Sequence, residues 1–504
     1  MRITLCLNAT GLTEEALLPL AGGATAFARS LERLTCFEAP EGQVRVPISV
    51  VADPGTASLP TDPAVSVVYP RDASLPAFLE TLDAISNDSD ALLLAPADGP
   101  FWDPALGRRL LEVHRQYVAE YTFADGFPEG LAPEVVSRDI LPALVELARR
   151  YQDVTERHTL FDIVQKDINA FDVETELSAE DMRMLRIRLR CDTRRNRLLC
   201  DQLAREFDHK HRDADGVVRH LRDHQRYLRT LPAFLTVQVT TAVSQKPFYL
   251  PEPFPFEGEN REMSPGDFES LARGFCRFAP DSVIHLSTWG EIACHGDVST
   301  LLELTNRIDC RRFWVETSGV GWKPEVVEAI VSGRYPKVTW IVCLDAYSEE
   351  VYRRVRGEGF AEAVGFASAL LDKLPGSVYL QSTRMEENEE DLESFYREWK
   401  KVTPNVIIQK YDHFSQRLPD RRVVDNAPVV RLPCWHLKRD MSVLVDGSVP
   451  LCREDLSLDH RLGNALTEPM EAVWLRGETY YQRHVDGDYP ALCQKCDEYY
   501  TFNF

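Results

Sequence analysis

Apolar runs alternate with amphipathic stretches through most of the chain, which is the pattern of an α/β protein. Near the start, the apolar runs predict a helix over 24–34 and strands at 3–7, 47–51, 65–69 and 91–98. The last run is apolar along its length and ends in an acid, as expected of a buried parallel strand that places Asp98 at the carboxyl edge of a sheet. This order predicts a Rossmann-like domain over residues 1–195.

Helical periodicity begins near Pro128, and fourteen Lys and Arg residues lie between Arg183 and Arg229. Basic residues interleaved with leucines predict amphipathic helices, so residues 196–232 are predicted to form a basic helical connector. Such a face fits an acidic partner, an RNA, or the acidic domains of the chain itself. The net charge of −22 favours the last of these.

The central segment, residues 233–416, repeats one pattern six times: an apolar strand followed by a helix. The predicted strands cover residues 234–241, 282–287, 312–317, 337–345, 377–383 and 405–410. Six parallel βα units predict a partial (β/α)6 barrel of the TIM type.

The segment 417–504 contains four cysteines with the spacing of a metal site: Cys434, Cys452, Cys493 and Cys496. Asp446-Gly447, flanked by valines, predicts a tight hairpin that folds Cys452 back toward Cys434. Thiolates are soft donors, and four of them satisfy one [4Fe–4S] cluster or one tetrahedral zinc. The alternative is four reduced, buried thiols.

Composition narrows the functional classes. With 44% hydrophobic and 27% charged residues and no apolar stretch near the ~20 residues of a membrane span, the chain is predicted to be globular with no membrane association. Its start predicts a strand rather than a signal peptide, and twelve cysteines then favour a reducing cytoplasm. The acidic charge argues against nucleic-acid binding. The expected partner is an unidentified small molecule or protein.

The cysteine-rich segment resembles the SPASM domain, which follows many radical S-adenosylmethionine (SAM) barrels. The shared features are the four cysteines, the Asp446-Gly447 hairpin, Leu462-Gly463-Asn464 and Trp474. The resemblance implies one auxiliary [4Fe–4S] cluster on the four cysteines, with zinc as the alternative metal.

The central segment resembles the radical SAM core. Gly290-Glu291 stands at the step that binds the SAM amino group, and Thr317-Ser318-Gly319 matches the end of the third strand. Leu344-Asp345 and the helix containing Arg356-Gly357 complete the likeness. These residues imply SAM as a ligand.

The loop after the first central strand departs from that core. Radical SAM enzymes place three cysteines there, but residues 240–251 contain none. We therefore expect no reductive cleavage of SAM.

The N-terminal domain resembles nucleotide-sugar and cytidylyl transferases with a GT-A-like fold. Leu17–Gly23 and Asp98-Gly99-Pro100-Phe101 carry the likeness, which implies a Mg²⁺ ion on Asp98. Glu14-Glu15 stand where that family has cations, and carboxylates repel a triphosphate. An inherited sheet without catalysis is the favoured interpretation.

The whole arrangement resembles the spiro-SPASM proteins. It predicts an iron–sulfur protein without reductive SAM cleavage that binds a ligand or serves as a scaffold. The alternative is a metal-dependent nucleotidyltransferase that joins a nucleoside triphosphate to a sugar phosphate or alcohol. Consumption of a triphosphate with Mg²⁺ separates the two.

Overall fold

The computed structural model divides the chain into two compact units, Met1–Thr230 and Leu231–Phe504. The described residues are 1–38, 46–56, 59, 65–151, 160–206, 213–251, 256, 258–286 and 289–501. Both units contain parallel sheets and helices, so the α/β class is confirmed. Among the described residues, none of the helices is both long enough and apolar enough to span a membrane.

The first unit is built on a seven-stranded sheet of order β3-β2-β1-β4-β6-β5-β7. Its strands are β1 (Ile3–Ala9), β2 (Ile48–Ala52), β3 (Ser66–Val68), β4 (Ala91–Pro96), β5 (Tyr121–Asp125), β6 (Glu134–Ser137) and β7 (Val173–Leu177). The first four are mutually parallel, and β6 runs antiparallel to both its neighbours. Every residue of β1 is buried, as the apolar run predicts.

Helices cover both faces of this sheet. They are α1 (Ala26–Thr35), α2 (Leu75–Ile85), α3 (Pro104–Gln116), α4 (Leu141–Arg150), α5 (Phe161–Val164), α6 (Arg194–Glu206) and α7 (Ala214–Asp223). Short 3₁₀ helices cover Glu14–Leu17, Arg138–Ile140, Gln165–Ala170, Arg183–Leu185 and Gln225–Leu228. Successive β1 side chains alternate between two cores: Leu5 packs with α1, and Cys6 packs with α2 and α4.

Two strands correct the prediction that the chain turns helical from Pro128. β6 and β7 lie in that stretch, and glutamates alternate with apolar residues in β7. β7 is an edge strand, so its weak apolar pattern resembles that of a surface loop. The two helices predicted as a connector, α6 and α7, lie inside the first compact unit.

The second unit is built on a seven-stranded sheet of order β13-β12-β11-β10-β9-β8-β14, parallel throughout. Its strands are β8 (Phe234–Val237), β9 (Val283–Leu286), β10 (Arg312–Thr317), β11 (Val338–Cys343), β12 (Val378–Arg384), β13 (Val406–Lys410) and β14 (Asp440–Val443). All six strands predicted between residues 234 and 410 are present, with Ser287 and Thr288 outside the described residues.

The helices of this unit are α8 (Pro265–Phe278), α9 (Val298–Arg307), α10 (Pro324–Val331), α11 (Glu349–Arg356), α12 (Phe360–Lys373), α13 (Glu389–Lys400), α14 (Trp435–Arg439), α15 (Met470–Arg476), α16 (Glu478–Val485) and α17 (Ala491–Gln494). Short 3₁₀ helices cover Ile292–Cys294 and Pro375–Ser377. Because β8 to β13 neighbour one another in chain order, right-handed crossovers carry the helices between them to one face of the sheet. The other face is left to line a cleft.

The segment after Cys434 returns to this sheet. β14 pairs with β8, with Asp440 opposite Phe234, and closes that edge. A two-stranded antiparallel ladder follows, made of β15 (Ser448–Val449) and β16 (Gly463–Asn464). The cysteine-rich segment therefore completes the central sheet rather than merely following it.

Candidate functional site

The four cysteines predicted as ligands surround one small cavity in the second unit. Cys434 precedes α14, Cys452 follows β15, Cys493 lies in α17, and Cys496 comes one turn later. Cys434 and Cys493 are buried, whereas Cys452 and Cys496 are partly exposed. Three separate stretches of the chain thus contribute thiols to the lining of one cavity.

A tight turn brings Cys452 to this cavity. The Leu444 N–H donates to the Ser448 carbonyl at 2.8 Å, across Asp446-Gly447. Gly447 has φ of +83°, and a Cβ there would lie 2.6 Å from the Asn464 side-chain oxygen. The position therefore requires glycine.

Burial keeps these thiols neutral when no cation is bound. It raises the pKa of Cys434 to about 12 and that of Cys493 to about 11. The pKa values of Cys452 and Cys496 are also raised well above the usual range, by burial and then by neighbouring negative charge. A bound cation would remove that penalty, because it stabilises the thiolates and displaces their protons.

The four thiols form a donor set that two kinds of group could use. Four thiolates are the donor set of either a [4Fe–4S] cluster or a structural zinc. Sulfurs on one tetrahedral zinc, with bonds of about 2.3 Å, lie about 3.8 Å apart. Among the described residues, no three of the four sulfurs lie within 4.8 Å of one another.

A second set of donors, Asp412, His413 and Asp497, has ligand atoms within 4.8 Å of one another. Three cations already neutralise it. Lys410 Nζ lies 2.9 Å from an Asp497 oxygen, Arg422 donates to Asp497 at 2.8 Å, and Arg453 pairs with Asp412. These contacts make the set an ion-pair network rather than a metal site.

A cleft of about 850 Å³ opens on the face of the central sheet opposite its helices. Side chains of four successive strands line it, including His285, Glu316, Cys343 and Gln381. His285 Nε2 lies 3.3 Å from Glu316, whose other oxygen is 3.3 Å from the Cys343 sulfur. Burial opposes ionisation of Glu316, but His285 and these hydrogen bonds hold its pKa below the usual value.

The cleft and the cysteine cavity adjoin. Four residues line both: His436, Cys452, Arg453 and Glu498. Any molecule bound at this end of the cleft therefore lies beside a group held by the four cysteines.

The residues predicted to bind SAM come together but contact one another. The Glu291 carboxylate accepts hydrogen bonds from the Thr317 hydroxyl at 2.7 Å and from the Ser318 N–H and hydroxyl at 2.8 Å each. Burial raises the pKa of Glu291. Its two oxygens are thus occupied by the chain itself.

The two glycines of the predicted SAM site are positions of close backbone approach. A Cβ at Gly290 would lie 1.8 Å from the Thr240 carbonyl oxygen. Gly319 has φ of +76° and packs against Ala363. Gly290, Glu291, Thr317 and Ser318 line the cleft, whereas Gly319 is not among its lining residues.

The loop after β8, in which the sequence has no cysteine, is anchored by polar contacts. The Tyr249 hydroxyl pairs with Asp345, and Arg356 Nη1 contacts both Asp345 and, at 2.6 Å, the Tyr249 oxygen. The sequence pointed to Asp345 and Arg356 separately. Their shared partner, Tyr249, was missed because it is distant from both along the chain.

Asp98 lies just past β4, as predicted, and is 4% exposed. Its carboxylate accepts a hydrogen bond from Arg190 Nε at 2.8 Å. A guanidinium therefore stands where the predicted Mg²⁺ would bind, and like charges repel.

His484 was also missed, because a lone histidine on a helix carries no spacing signal. It projects from α16, is 2% exposed, and lines the cysteine cavity. Burial, followed by the charges of Arg431 and Arg483, lowers its pKa to about 4. The ring is therefore neutral near pH 7.

Comparison with known proteins gives one domain match and two relatives. Residues 434–497 match SPASM, an iron–sulfur cluster-binding domain. An uncharacterized protein of Treponema pallidum (strain Nichols) is 36% identical over 359 residues, which are 68% of this chain and 98% of that protein. A second uncharacterized protein of that organism is 40% identical over 65 residues, 13% of this chain and 30% of its own length.

Among solved structures, two matches have TM-scores below 0.5. SuiB of Streptococcus suis bound to precursor peptide SuiA gives a TM-score of 0.43 at 12% identity, over 67% of this chain and 78% of that one. A cytidylyltransferase from Leptospira borgpetersenii serovar Hardjo-bovis gives a TM-score of 0.36 at 16% identity. The match covers 45% of this chain and 96% of that one.

Proposed function

The chain belongs to the same family as the Treponema pallidum protein that it matches at 36% identity, and on that premise we propose that it is an iron–sulfur protein of the radical SAM/SPASM type. It holds one [4Fe–4S] cluster on Cys434, Cys452, Cys493 and Cys496. The observation that carries the proposal is that these cysteines, which come from three separate stretches of the chain, line one cavity. The match of residues 434–497 to a cluster-binding domain supports it independently.

Such a cluster supplies one-electron transfer and a rigid cross-link of the chain. With a cysteine on every iron, none is left open to chelate a ligand. The protein's own contribution is to bury the thiols and to place Cys452 and Arg453 at the border of the cleft. Cys452 and Arg453 would hold such a cluster beside the cleft, where it would supply electron-transfer chemistry.

The central sheet is proposed to form a partial barrel that binds this ligand. The chain-order arrangement of β8 to β13 supports a barrel, and the adjoining cleft supports binding. The loop at 240–251 has no cysteine. Instead, Tyr249 and Gln245 of this loop are hydrogen-bonded to Asp345 and Tyr352, respectively. The ligand is bound without reductive cleavage of SAM.

The test is anaerobic purification followed by iron, sulfide and zinc analysis with absorption and electron paramagnetic resonance (EPR) spectra. We expect about four irons and four sulfides per chain, with a broad band near 400 nm, about as for other [4Fe–4S] proteins. Cys493→Ala abolishes the band. Cys294→Ala, a partly exposed thiol of the same unit that does not line the cavity, leaves it unchanged. A colourless protein with one zinc contradicts the proposal.

A further inference from the structure

We propose that His484 donates an N–H hydrogen bond to a sulfur of the cluster and thereby raises its reduction potential. The inference rests on the proposed function, since it needs a cluster on the four cysteines. It adds a fifth side chain to the site, one that tunes the cluster rather than ligating it.

The imidazole of His484 is an unsatisfied buried group. His484 is 98% buried, and within the described part of the chain neither ring nitrogen has a hydrogen-bond partner. Its ring contacts that of Tyr489 edge to face, at 5.0 Å between centroids. Buried polar groups in native proteins are almost always paired. The side chain lines the cysteine cavity, so the occupant of that cavity is the missing partner.

A second histidine in the same cavity shows the contrast. His436 Nδ1 lies 2.5 Å from Asp440, and its Nε2 lies 3.0 Å from the Thr501 hydroxyl. Both nitrogens are satisfied by protein, so His436 has no donor to spare. The histidine without a partner among the described residues is His484, on α16.

A sulfur is the acceptor that this cavity offers. Thiolates and bridging sulfides carry the negative charge of a cluster, and hydrogen bonds to them are one of the factors that set its potential. Reduction adds one electron and so one negative charge. An N–H aimed at a sulfur stabilises the reduced state more than the oxidised state, and the potential rises.

The experiment is an EPR-monitored redox titration of the reconstituted full chain and three variants. His484→Leu removes the donor, and we expect the midpoint to fall by about 59 mV, a tenfold change in the one-electron equilibrium. His484→Gln keeps an N–H and should recover part of that fall. His460→Leu is the matched control: it is a partly buried histidine of the same domain, it contacts Tyr480, and it does not line the cavity.

A second measurement looks for the hydrogen bond directly and takes wild-type protein as its reference. In wild-type protein with ¹⁵N-labelled histidine, pulsed EPR of the reduced cluster should show a ¹⁵N coupling that His484→Gln removes. A loaded cluster with no such coupling and an unchanged His484→Leu midpoint overturns the role of His484 while leaving the cluster in place. Wild-type protein that binds no iron overturns both the cluster and this inference.

Discussion

Glu291 accepts two hydrogen bonds from Ser318, one from the backbone N–H and one from the hydroxyl, each at 2.8 Å. With Thr317 on the other oxygen, the carboxylate that the sequence assigns to SAM is satisfied by the protein. To receive an ammonium group it would have to give up contacts that already compensate its burial.

The first prediction concerns SAM. We expect binding weaker than micromolar by isothermal calorimetry, because neither an open iron nor a free Glu291 oxygen is present. Reduction of the loaded protein with dithionite and SAM should give no 5′-deoxyadenosine by chromatography. Catalytic formation of that product would contradict both the binding argument and the assignment of all four cysteines to one closed cluster.

The second prediction tests whether the Glu291 carboxylate stabilises the fold or serves to bind a ligand. Glu291→Gln replaces one acceptor by a donor that faces the donors of Thr317 or Ser318, so we expect a loss of about 1–3 kcal/mol in the free energy of unfolding, measured with urea. Glu325→Gln, on an exposed turn of α10, should change it by less than about 0.5 kcal/mol. Equal stability of the two variants would show that the Glu291 hydrogen bonds are dispensable.

The third prediction concerns the buried group of Tyr249, Asp345 and Arg356. Tyr249→Phe removes one hydroxyl and should cost about 1–2 kcal/mol of unfolding free energy. Asp345→Asn leaves Arg356 buried without its counter-charge and should cost about 3–5 kcal/mol. The reverse order would mean that the hydroxyl, not the ion pair, holds the loop after β8.

The fourth prediction concerns Asp98. Its partner Arg190 also lies 3.9 Å from Glu129, so Asp98→Asn leaves the guanidinium one carboxylate. Arg190→Gln leaves Asp98 without an ion-pair partner among the described residues. We expect the second variant to unfold more easily, by about 1 kcal/mol or more. Millimolar Mg²⁺ should not change the melting temperature of wild type. A rise that Asp98→Asn abolishes would restore the Mg²⁺ site and the transferase alternative.

The fifth prediction is a pH dependence in the first unit. Burial raises the pKa of Glu134 to about 7, against hydrogen bonds from Tyr121 and the Leu160 N–H. The folded state therefore holds a proton that the unfolded state releases near pH 4.5. The contribution of Glu134 to the free energy of unfolding is complete below pH 4.5. It is lost as the pH rises through 7 and amounts to at most about 3 kcal/mol. Comparing Glu134→Gln with wild type by urea unfolding at pH 5 and pH 8 isolates it, because the variant lacks this change.

The sequence predicted those strands that are buried along almost their whole length, because each of them appears as an uninterrupted run of apolar residues. β4 and β11 are buried almost throughout and stand out as apolar runs. Edge strands show no such run. In β7, glutamates alternate with Val173, Thr175 and Leu177. The pairing of β14 with β8 depends on a contact between residues that are distant in sequence. Local periodicity carries no information about which strand becomes the neighbour.

The residues of the candidate site also fall into those that the sequence predicted and those that it did not. The four cysteines were found because ligand chemistry constrains residue type and spacing together. The saturation of Glu291 and the unpaired ring of His484 were not predictable, because each depends on where other side chains point. A hydrogen-bond partner, unlike a ligand motif, leaves no fixed interval in the chain.

The pairing of β14 with β8 has a consequence for biosynthesis. β8 is the first strand of its sheet to leave the ribosome, and its outer edge lacks its partner until Asp440–Val443 has been made. An unpaired strand edge is a template for association with other chains. A chain truncated before residue 440 should therefore aggregate even though β8 to β13 are complete. Cys434, the first of the four cavity cysteines, lies just before β14. Synthesis of this segment therefore also provides the strand that covers the exposed edge of β8.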